Sequence, residues 1–292
     1  MLHKFLTILT IITISIDTHS QSIDRIQLIR DLEYLASDQM EGRKPGTLGH
    51  RLAQDYIISR FNLIGLKPLD SNYAQIFNIN TRSETLIGTN LIGKIHGLQD
   101  EVIIISAHYD HLGRINGKTF NGADDNASGI AAMLSIATYF VTNPPKYTLV
   151  FAAFDAEEIG LQGARFFVKG YKGSKIIANI NMDMLSRSSK NELYACGTYH
   201  HPHFKTLLQS IDGDATVQLK YGHDNPQSSQ QDWTYSSDHG AFHRRNIPFI
   251  YFGVEDHEDY HKFTDTADKI DQQFYANTVE LILKFIIALD KS

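Results

Sequence analysis

Residues 102–111 have the sequence Val-Ile-Ile-Ile-Ser-Ala-His-Tyr-Asp-His, an apolar run that gives way to histidine and carboxylate. A short run that is apolar at every position is typical of a strand covered on both faces. Two similar runs occupy residues 147–154 and 176–182, and helical patterns at 130–141 and 161–169 separate the three. Strands that alternate with helices predict an α/β fold whose sheet is at least partly parallel.

The remaining sequence predicts further elements around this sheet. Apolar residues at helical spacing indicate helices at 22–40, 48–63 and 272–289. Additional strands are expected at 73–80, 85–95, 192–195, 216–220 and 248–252. A chain of 292 residues is long enough for a three-layer core, and no linker or internal repeat interrupts it. We therefore predict one domain over residues 21–292, a three-layer α/β/α fold with a mixed, largely parallel central sheet.

The N-terminus has the pattern of a targeting segment. Lys4 supplies a positive charge, residues 5–16 are almost entirely apolar, and residues 18–20 include small side chains suited to cleavage. The apolar run is shorter than the roughly 20 residues of a transmembrane helix. The expectation is a signal peptide over residues 1–20 and a periplasmic or secreted mature protein, with an uncleaved anchor as the alternative.

Composition narrows the classes of partner and cofactor. The formal net charge of −6 gives no reason to expect nucleic acid or an anionic membrane as a partner. The single cysteine, Cys196, excludes an internal disulfide, and a metal site would have to use His, Asp and Glu. We expect Cys196 to be a buried, apolar-like residue. The oligomeric state is left open.

Histidines and carboxylates collect where the predicted strands end. They occur in residues 108–111 and 155–158, at Asp183, and at His261 beyond the strand at 248–252. A fifth group lies in the loop at 121–129, Asn-Gly-Ala-Asp-Asp-Asn-Ala-Ser-Gly. Functional groups of open α/β sheets gather at the carboxyl ends of the strands. Their coincidence there favours one shared metal site.

Each of these residues has a structural alternative when it is considered alone. His108 fits a core histidine, Asp110 a helix cap, and Glu157-Glu158 a solvated turn. Asp183 is harder to explain structurally, because it lies in an apolar run and a buried charge must be paired or metal-bound.

Five motifs taken together carry a resemblance to a known family. In chain order they are His108-Tyr109-Asp110, Gly-Ala-Asp-Asp-Asn-Ala-Ser-Gly at 122–129, Glu157-Glu158, Asn181-Met182-Asp183-Met184, and His261 ahead of Asp265-Thr266. Their order and rough spacing resemble the M28 family of co-catalytic zinc aminopeptidases. Glu41-Gly42-Arg43 and residues 237–242 are also similar to family features. The resemblance extends over nearly the whole mature chain and implies a zinc-exopeptidase fold.

The resemblance implies a set of metal ligands for two zinc ions. The implied ligands are His108, Asp125, Glu158, Asp183 and His261. Asp125 would bridge both ions, with His108 and Asp183 on one ion and Glu158 and His261 on the other. Asp124 is expected to have a local backbone role, and family members often have a cis peptide after the bridging acid.

The resemblance also implies how the remaining polar residues act. Glu157 would be the general base that takes a proton from the metal-bound water and delivers it to the leaving amine. Two Zn²⁺ and three carboxylate ligands would favour hydroxide over neutral water at the site. Asp110 would orient the His108 imidazole, and Tyr260 is a candidate oxyanion donor or a packing residue. Asp238, with His239, would line the site or belong to a structural network.

The implied activity is removal of the N-terminal residue from peptides or small proteins that have a free N-terminus. Loops at 111–119 and 222–233 are expected to wall the pocket. Trp233, Tyr235 and Phe242 would form an apolar subsite or pack in the core. Two other interpretations stay open. One is a single-zinc glutaminyl-peptide cyclotransferase on the same fold, and the other is a non-catalytic binding homologue.

Overall fold

The computed structural model describes residues 23–211 and 216–292. The predicted signal peptide, residues 1–20, lies outside the described residues. Within the described ranges, no helix combines the length and the apolar character needed to cross a membrane.

The described residues form eleven strands and seven α-helices. The strands are β1 (Lys67–Pro68), β2 (Ala74–Asn80), β3 (Thr85–Ile95), β4 (Gln99–His108), β5 (Gly113–Ile115), β6 (Lys118–Phe120), β7 (Tyr147–Phe154), β8 (Ile176–Met182), β9 (Glu192–Cys196), β10 (Gln218–Tyr221) and β11 (Phe249–Gly253). The helices are α1 (Arg25–Leu35), α2 (Leu48–Ile64), α3 (Gly129–Thr142), α4 (Gln162–Gly170), α5 (Pro202–Ile211), α6 (His239–His243) and α7 (Gln272–Lys291).

The main sheet of the described chain is mixed. Its strand order is β1-β3-β7-β4-β8-β11-β9-β10, and β2 pairs with β3. The four central strands, β7, β4, β8 and β11, are mutually parallel. The ladders β3–β7 and β11–β9 are antiparallel and flank this centre. The mixed α/β prediction is confirmed, and the parallel pairing lies in the middle of the sheet and in the outer β9–β10 pair.

Both faces of the sheet are covered, as the uniformly apolar runs predicted. Alternate residues of β4 point to opposite faces. Ile103 and Ile105 belong to the larger core beneath α1, α2, α3, α5 and α7. Val102 and Ile104 belong to a second core with α4 and α6. The fold is therefore a three-layer α/β/α sandwich.

The predicted helix at 22–40 is shorter than expected. Helix α1 ends at Leu35, and a 3₁₀ segment, Asp38–Arg43, follows it. Gly42 has φ +69, and a Cβ there would lie 2.3 Å from the carbonyl oxygen of Phe120. Glycine is required at this position because the backbone has left-handed geometry and approaches a neighbouring strand closely.

The segment at 111–119 is also more regular than the predicted loop. Strands β5 and β6 pair as an antiparallel hairpin. The turn between them contains Asn116 at φ 51 and Gly117 at φ 78. Asn-Gly with both residues at positive φ is the preferred two-residue hairpin turn, so the dipeptide was a usable sequence signal.

Arg43 ties the N-terminal segment to two loops at the carboxyl edge of the sheet. Its buried guanidinium donates hydrogen bonds to the carbonyl oxygens of Tyr109 at 2.8 Å, Asn121 at 2.6 Å and Gly122 at 2.9 Å. A further hydrogen bond reaches Leu35 at 2.6 Å. Arg43 thereby fixes the backbone beside His108 and the backbone that leads into residues 123–128.

Candidate metal centre

The structure brings together the five residues that the resemblance implied as metal ligands. His108 is the last residue of β4, and Asp183 follows directly after β8. Glu158 lies in the turn after β7, and His261 lies in the loop after β11. Asp125 lies in the irregular helical segment that leads into α3. The site therefore forms at the carboxyl edge of the parallel strands.

One group of ligand atoms surrounds His108. Its Nε2 lies 3.3 Å from Oδ1 of Asp125 and 3.2 Å from Oδ1 of Asp183. All three side chains are buried, and they form one of the clusters in the described chain with the spacing needed to hold a metal ion.

A second group surrounds His261. Its Nε2 lies 3.1 Å from Oδ2 of Asp125 and 3.4 Å from Oε2 of Glu158. Asp125 thus presents one carboxylate oxygen to each group. Two adjacent groups that share one carboxylate have the arrangement of a dinuclear site.

The spacing of these atoms fits zinc. Donors bound tetrahedrally to one zinc ion at about 2.0–2.1 Å lie about 3.3–3.4 Å apart. The four histidine–carboxylate separations in the two groups range from 3.1 to 3.4 Å. Imidazole and carboxylate ligands without thiolate are also the donor set of hydrolytic zinc sites.

Burial and mutual repulsion shift the pKa values of the ionisable groups at the site. Burial raises the pKa of Glu158 to about 8, and the neighbouring Asp125 carboxylate adds to the shift. Burial would also raise the pKa of Asp125, but His111, His108 and His261 hold it well below its usual range. Burial opposes protonation of His108, yet Asp183 and Glu157 keep its pKa well above the usual value. Cations would relieve the repulsion among these carboxylates.

Asp124 and Asp125 have different surroundings although they are adjacent in sequence. Oδ1 of Asp124 accepts hydrogen bonds from the backbone N–H of Ser186 at 2.6 Å and from its hydroxyl at 2.8 Å. Oδ2 of Asp124 lies 3.0 Å from Nε2 of His257. Asp124 is therefore occupied by protein donors, in agreement with the local role expected for it.

The backbone around Asp125 is held by its own contacts. The carboxylate of Asp265 accepts hydrogen bonds from the N–H groups of Asp124 and Asp125 at 3.1 Å. The peptide bond between Asp125 and Asn126 is cis, as the resemblance implied. Asn126 donates to the carbonyl oxygen of Met182 at 3.0 Å, which joins this segment to the end of β8.

Asp110 does not make the contact that was expected of it. Its carboxylate Oδ1 lies 3.7 Å from Nδ1 of His108, which is beyond hydrogen-bonding distance. The backbone carbonyl of Asp110 takes that place, at 3.1 Å from Nδ1. The carboxylate accepts instead from the backbone N–H groups of Glu157 at 3.0 Å and Glu158 at 3.3 Å. Asp110 therefore orients the turn that carries both glutamates, and its main chain holds Nδ1 of His108. Its carboxylate stays within ion-pair distance of His108, and its orienting role there stays a prediction.

The Glu157 side chain lines the pocket that opens over the metal centre. Burial raises its pKa well above the usual value; His108 opposes the shift, and Asp183 and Asp238 reinforce it. Tyr260 also lines this pocket, and its ring stacks on His261 at 4.0 Å between centroids.

The pocket has a volume of about 460 Å³ and an aromatic wall. Trp233 and Tyr235 line it together with Gln231, as expected for the segment at 222–233. Phe242 is not part of the wall, because it packs in the core against Phe154 and Phe167. None of the described residues at 111–119 lines this pocket.

Asp238 is not among the residues that line the pocket. It is fully buried, and neither carboxylate oxygen has a hydrogen-bond partner among the described residues. Burial raises the pKa of Asp238 well above the usual value. Nε2 of its neighbour His239 donates a hydrogen bond to the carbonyl oxygen of Trp233 at 2.8 Å.

His111 lies at the site, although the sequence analysis gave it no role of its own beyond its place in the strand-end group at 108–111 and in the loop at 111–119. Its Nδ1 lies 2.7 Å from Oε1 of Glu158 and 3.8 Å from Oδ2 of Asp125. Burial lowers the pKa of His111 to about 4, so the ring is neutral near pH 7. Its place in the same strand-end segment as His108 was the available signal.

Comparison with known proteins agrees with this geometry. The sequence model described as peptidase family M28 matches residues 90–286. Aminopeptidase YwaD of Bacillus subtilis (strain 168) is 28% identical over 225 residues, which cover 70% of this chain and 44% of that protein. The chain therefore spans less than half the length of this relative.

Solved structures share the fold at low sequence identity. A Zn-dependent exopeptidase from Parabacteroides distasonis ATCC 8503 superposes with a TM-score of 0.76 at 18% identity, covering 91% of this chain and 99% of that one. The glutaminyl cyclase of Fimbriiglobus ruber gives a TM-score of 0.75 at 20% identity, covering 91% and 95%. At these identities the likeness shows the fold alone.

Proposed function

The chain belongs to peptidase family M28, and from this membership we propose that it is a zinc-dependent aminopeptidase that removes the N-terminal residue from peptides. The observation that carries the proposal is the position of Asp125. Its two carboxylate oxygens face two separate groups, one with His108 and Asp183 and the other with His261 and Glu158.

Two zinc ions per chain are part of the proposal. His108, Asp183 and Asp125 would hold one ion, and His261, Glu158 and Asp125 would hold the other. Bound zinc supplies Lewis acidity and brings the pKa of water near 7, which hydrolysis requires at neutral pH.

The proposed catalytic base is Glu157. Its side chain lines the pocket beside the ligand Glu158, and its raised pKa suits a group that accepts and later returns a proton near neutral pH. The N–H bonds to Asp110 hold the backbone of this glutamate pair, so Glu157 can face the pocket while Glu158 faces His261.

Tyr260 is the proposed donor to the oxygen that gains negative charge during hydrolysis. Burial raises the pKa of its hydroxyl, so the group stays protonated and able to donate. Stacking on His261 fixes the ring at the pocket.

The substrate class is inferred from the name of the relative Aminopeptidase YwaD and from the carboxylates that line the pocket. Those carboxylates are suited to a free α-ammonium group. We also infer that residues 21–292 form one catalytic domain and that the segment at 1–20 directs export. N-terminal sequencing of the exported protein tests the export, and a mature chain that begins at Met1 would contradict it.

A second candidate function is that of a glutaminyl cyclase, because the structure of a protein with that name superposes on this chain with a TM-score of 0.75. One experiment separates the two. The purified protein is assayed for zinc content, for hydrolysis of aminoacyl anilides, and for ammonia release from a peptide with N-terminal glutamine, each with and without chelator. Two zinc ions and chelator-sensitive anilide hydrolysis are expected. One zinc ion with ammonia release would favour the cyclase, and a zinc-free, inactive protein would indicate a binding function.

A further inference from the structure

His111 contacts the candidate metal centre but differs from the five proposed ligands. Its ring is buried and meets the His261 ring edge to face, at 6.0 Å between centroids. Its Nδ1 approaches Oε1 of Glu158, whereas His261 approaches Oε2 of the same carboxylate. The two histidines therefore divide the two oxygens of Glu158 between them.

The separation between His111 and Glu158 is that of a hydrogen bond. The Nδ1···Oε1 distance is 2.7 Å, which is the length of a hydrogen bond. Two donors on one zinc ion lie about 3.3–3.4 Å apart, and the His261–Glu158 and His261–Asp125 distances of 3.4 and 3.1 Å approach that spacing. His111 is also 3.8 Å from Oδ2 of Asp125. His111, Asp125 and Glu158 also lie close enough together to hold a metal ion. The 2.7 Å separation from Glu158 is the feature that favours a hydrogen-bonding role for His111.

The local fold holds the ring in this position. The backbone N–H of His111 is 3.4 Å from the carbonyl oxygen of Arg43. A Cβ at Gly122 would lie 2.6 Å from the His111 ring, so the glycine makes room for it. Nε2 of His111 is buried and has no partner among the described residues. Among the residues that the structure describes, Glu158 is therefore the only one whose polar atom lies within hydrogen-bonding distance of the ring.

We propose that His111 is a positioning residue that donates a hydrogen bond from Nδ1 to Oε1 of Glu158 and so presents Oε2 alone to the ion beside His261. The inference rests on the proposed function. A metal ligand must be deprotonated, so the ligating Glu158 accepts and Nδ1 of His111 donates. Without this bond, Glu158 is free to rotate, and the ion beside His261 is held less firmly than the ion beside His108.

Two variants test the donor separately from the volume of the ring. His111→Asn keeps an N–H donor at the position of Nδ1, whereas His111→Leu fills the space without a donor. Zinc affinity is measured by competition with a chromophoric chelator, and zinc coordination by X-ray absorption at the zinc edge. Loss of a hydrogen bond to a metal ligand typically weakens metal binding about 10–100-fold. We expect that loss for one of the two ions in His111→Leu, and recovery of most of the affinity in His111→Asn.

The control is His201→Leu. Nε2 of His201 is also buried and has no hydrogen-bond partner in the described part of the chain, but its ring packs against His203 and Phe204 instead of the metal centre. This variant should bind both ions as the wild type does. X-ray absorption should show an average of one imidazole per zinc ion in the wild type and in His111→Asn.

Two results would overturn the proposal. One is wild-type affinity for both ions in His111→Leu. The other is a wild-type average above one imidazole per zinc that falls to one in His111→Asn, which would make His111 a ligand. These readouts are independent of turnover. A protein that binds two zinc ions but hydrolyses no aminopeptide contradicts the proposed function and leaves the test of His111 intact.

Discussion

Two groups of buried carboxylates lie side by side at the carboxyl edge of the sheet, and they are stabilised in different ways. We call the first the donor-satisfied group; it consists of Asp110, Asp124 and Asp265. We call the second the histidine-facing group; it consists of Asp125, Glu158 and Asp183. Asp124 and Asp125 are consecutive in the chain and fall into different groups.

The donor-satisfied group is held by N–H and O–H groups of the protein. Asp110 accepts from two backbone N–H groups, Asp265 from two others, and Asp124 from the backbone and hydroxyl of Ser186. Carboxylates bound in this way need no external cation, because their hydrogen bonds compensate for the loss of water.

The histidine-facing group has few such donors. At the site, the carboxylates of Asp125 and Asp183 face the imidazole nitrogens of His108, His111 and His261. The three donor-satisfied aspartates are completely buried, whereas the histidine-facing carboxylates are slightly exposed where they line the pocket. The two groups also differ in whether protein donors or imidazole nitrogens meet the carboxylate. A lack of donors alone does not mark a ligand, because the oxygens of Asp238 also have none among the described residues.

The largest expected effect is on turnover, and it distinguishes the proposed base Glu157 from the proposed ligand Glu158. In Glu157→Gln, the pocket and both ions should be retained while the proton carrier is lost, so kcat should fall by about 10²–10⁴-fold. Steady-state assays and zinc analysis on the same preparation measure both quantities. Glu84→Gln, at an exposed position, is the control and should keep wild-type activity. Full activity in Glu157→Gln would show that Glu157 is not the general base.

The next effect tests Asp125 as the shared ligand. Asp125→Asn removes an anionic oxygen from both groups, so zinc affinity should fall by at least about 10–100-fold, with activity falling alongside. The increase in melting temperature on adding zinc should disappear as well, since a ligand that binds the native state stabilises it. Two zinc ions retained at wild-type affinity would argue against a bridging carboxylate.

Asp124→Asn is the matched counterpart and should act on stability. The amide group replaces the oxygen beside Nε2 of His257, so a buried hydrogen bond is lost or strained. The free energy of unfolding should fall by about 1–3 kcal/mol, measured by urea denaturation in chelator. Zinc stoichiometry should stay at the wild-type value. Loss of zinc with unchanged stability would reverse the roles of the two aspartates.

The smallest effect is a release of protons when zinc binds. With its pKa raised to about 8, Glu158 carries a proton in the metal-free protein near pH 7 and must lose it to bind zinc. His108, whose pKa is also raised, contributes in the same direction. Calorimetry in buffers of different ionisation enthalpy should show more protons released at about pH 7 than at about pH 9. Equal release at both would mean that the histidine-facing group is already deprotonated.

The central strands of the fold could be predicted from the sequence. Uniformly apolar runs identified β4, β7 and β8 because both faces of these strands are covered. Strand-end positions also brought the five implied ligands together, because parallel strands deliver their carboxyl ends to one edge.

The sequence did not show which polar atoms meet. The contact between His111 and Glu158 joins positions separated by 47 residues, and no local pattern records it. The carboxylate of Asp110 turned to backbone N–H groups of another loop instead of His108. The sequence left open whether Phe242 lines the pocket or packs in the core, and the structure places it in the core. Such contacts depend on tertiary packing rather than on residue type or spacing.

We propose that Asp125 joins two metal ions while Asp124 touches none. Anomalous diffraction at the zinc edge, from crystals of the wild-type protein grown with zinc, tests it most directly. We predict two anomalous peaks, one beside His108 and Asp183 and the other beside His261 and Glu158, with one oxygen of Asp125 directed at each. A single peak, or a peak bound by Asp124, would contradict the account.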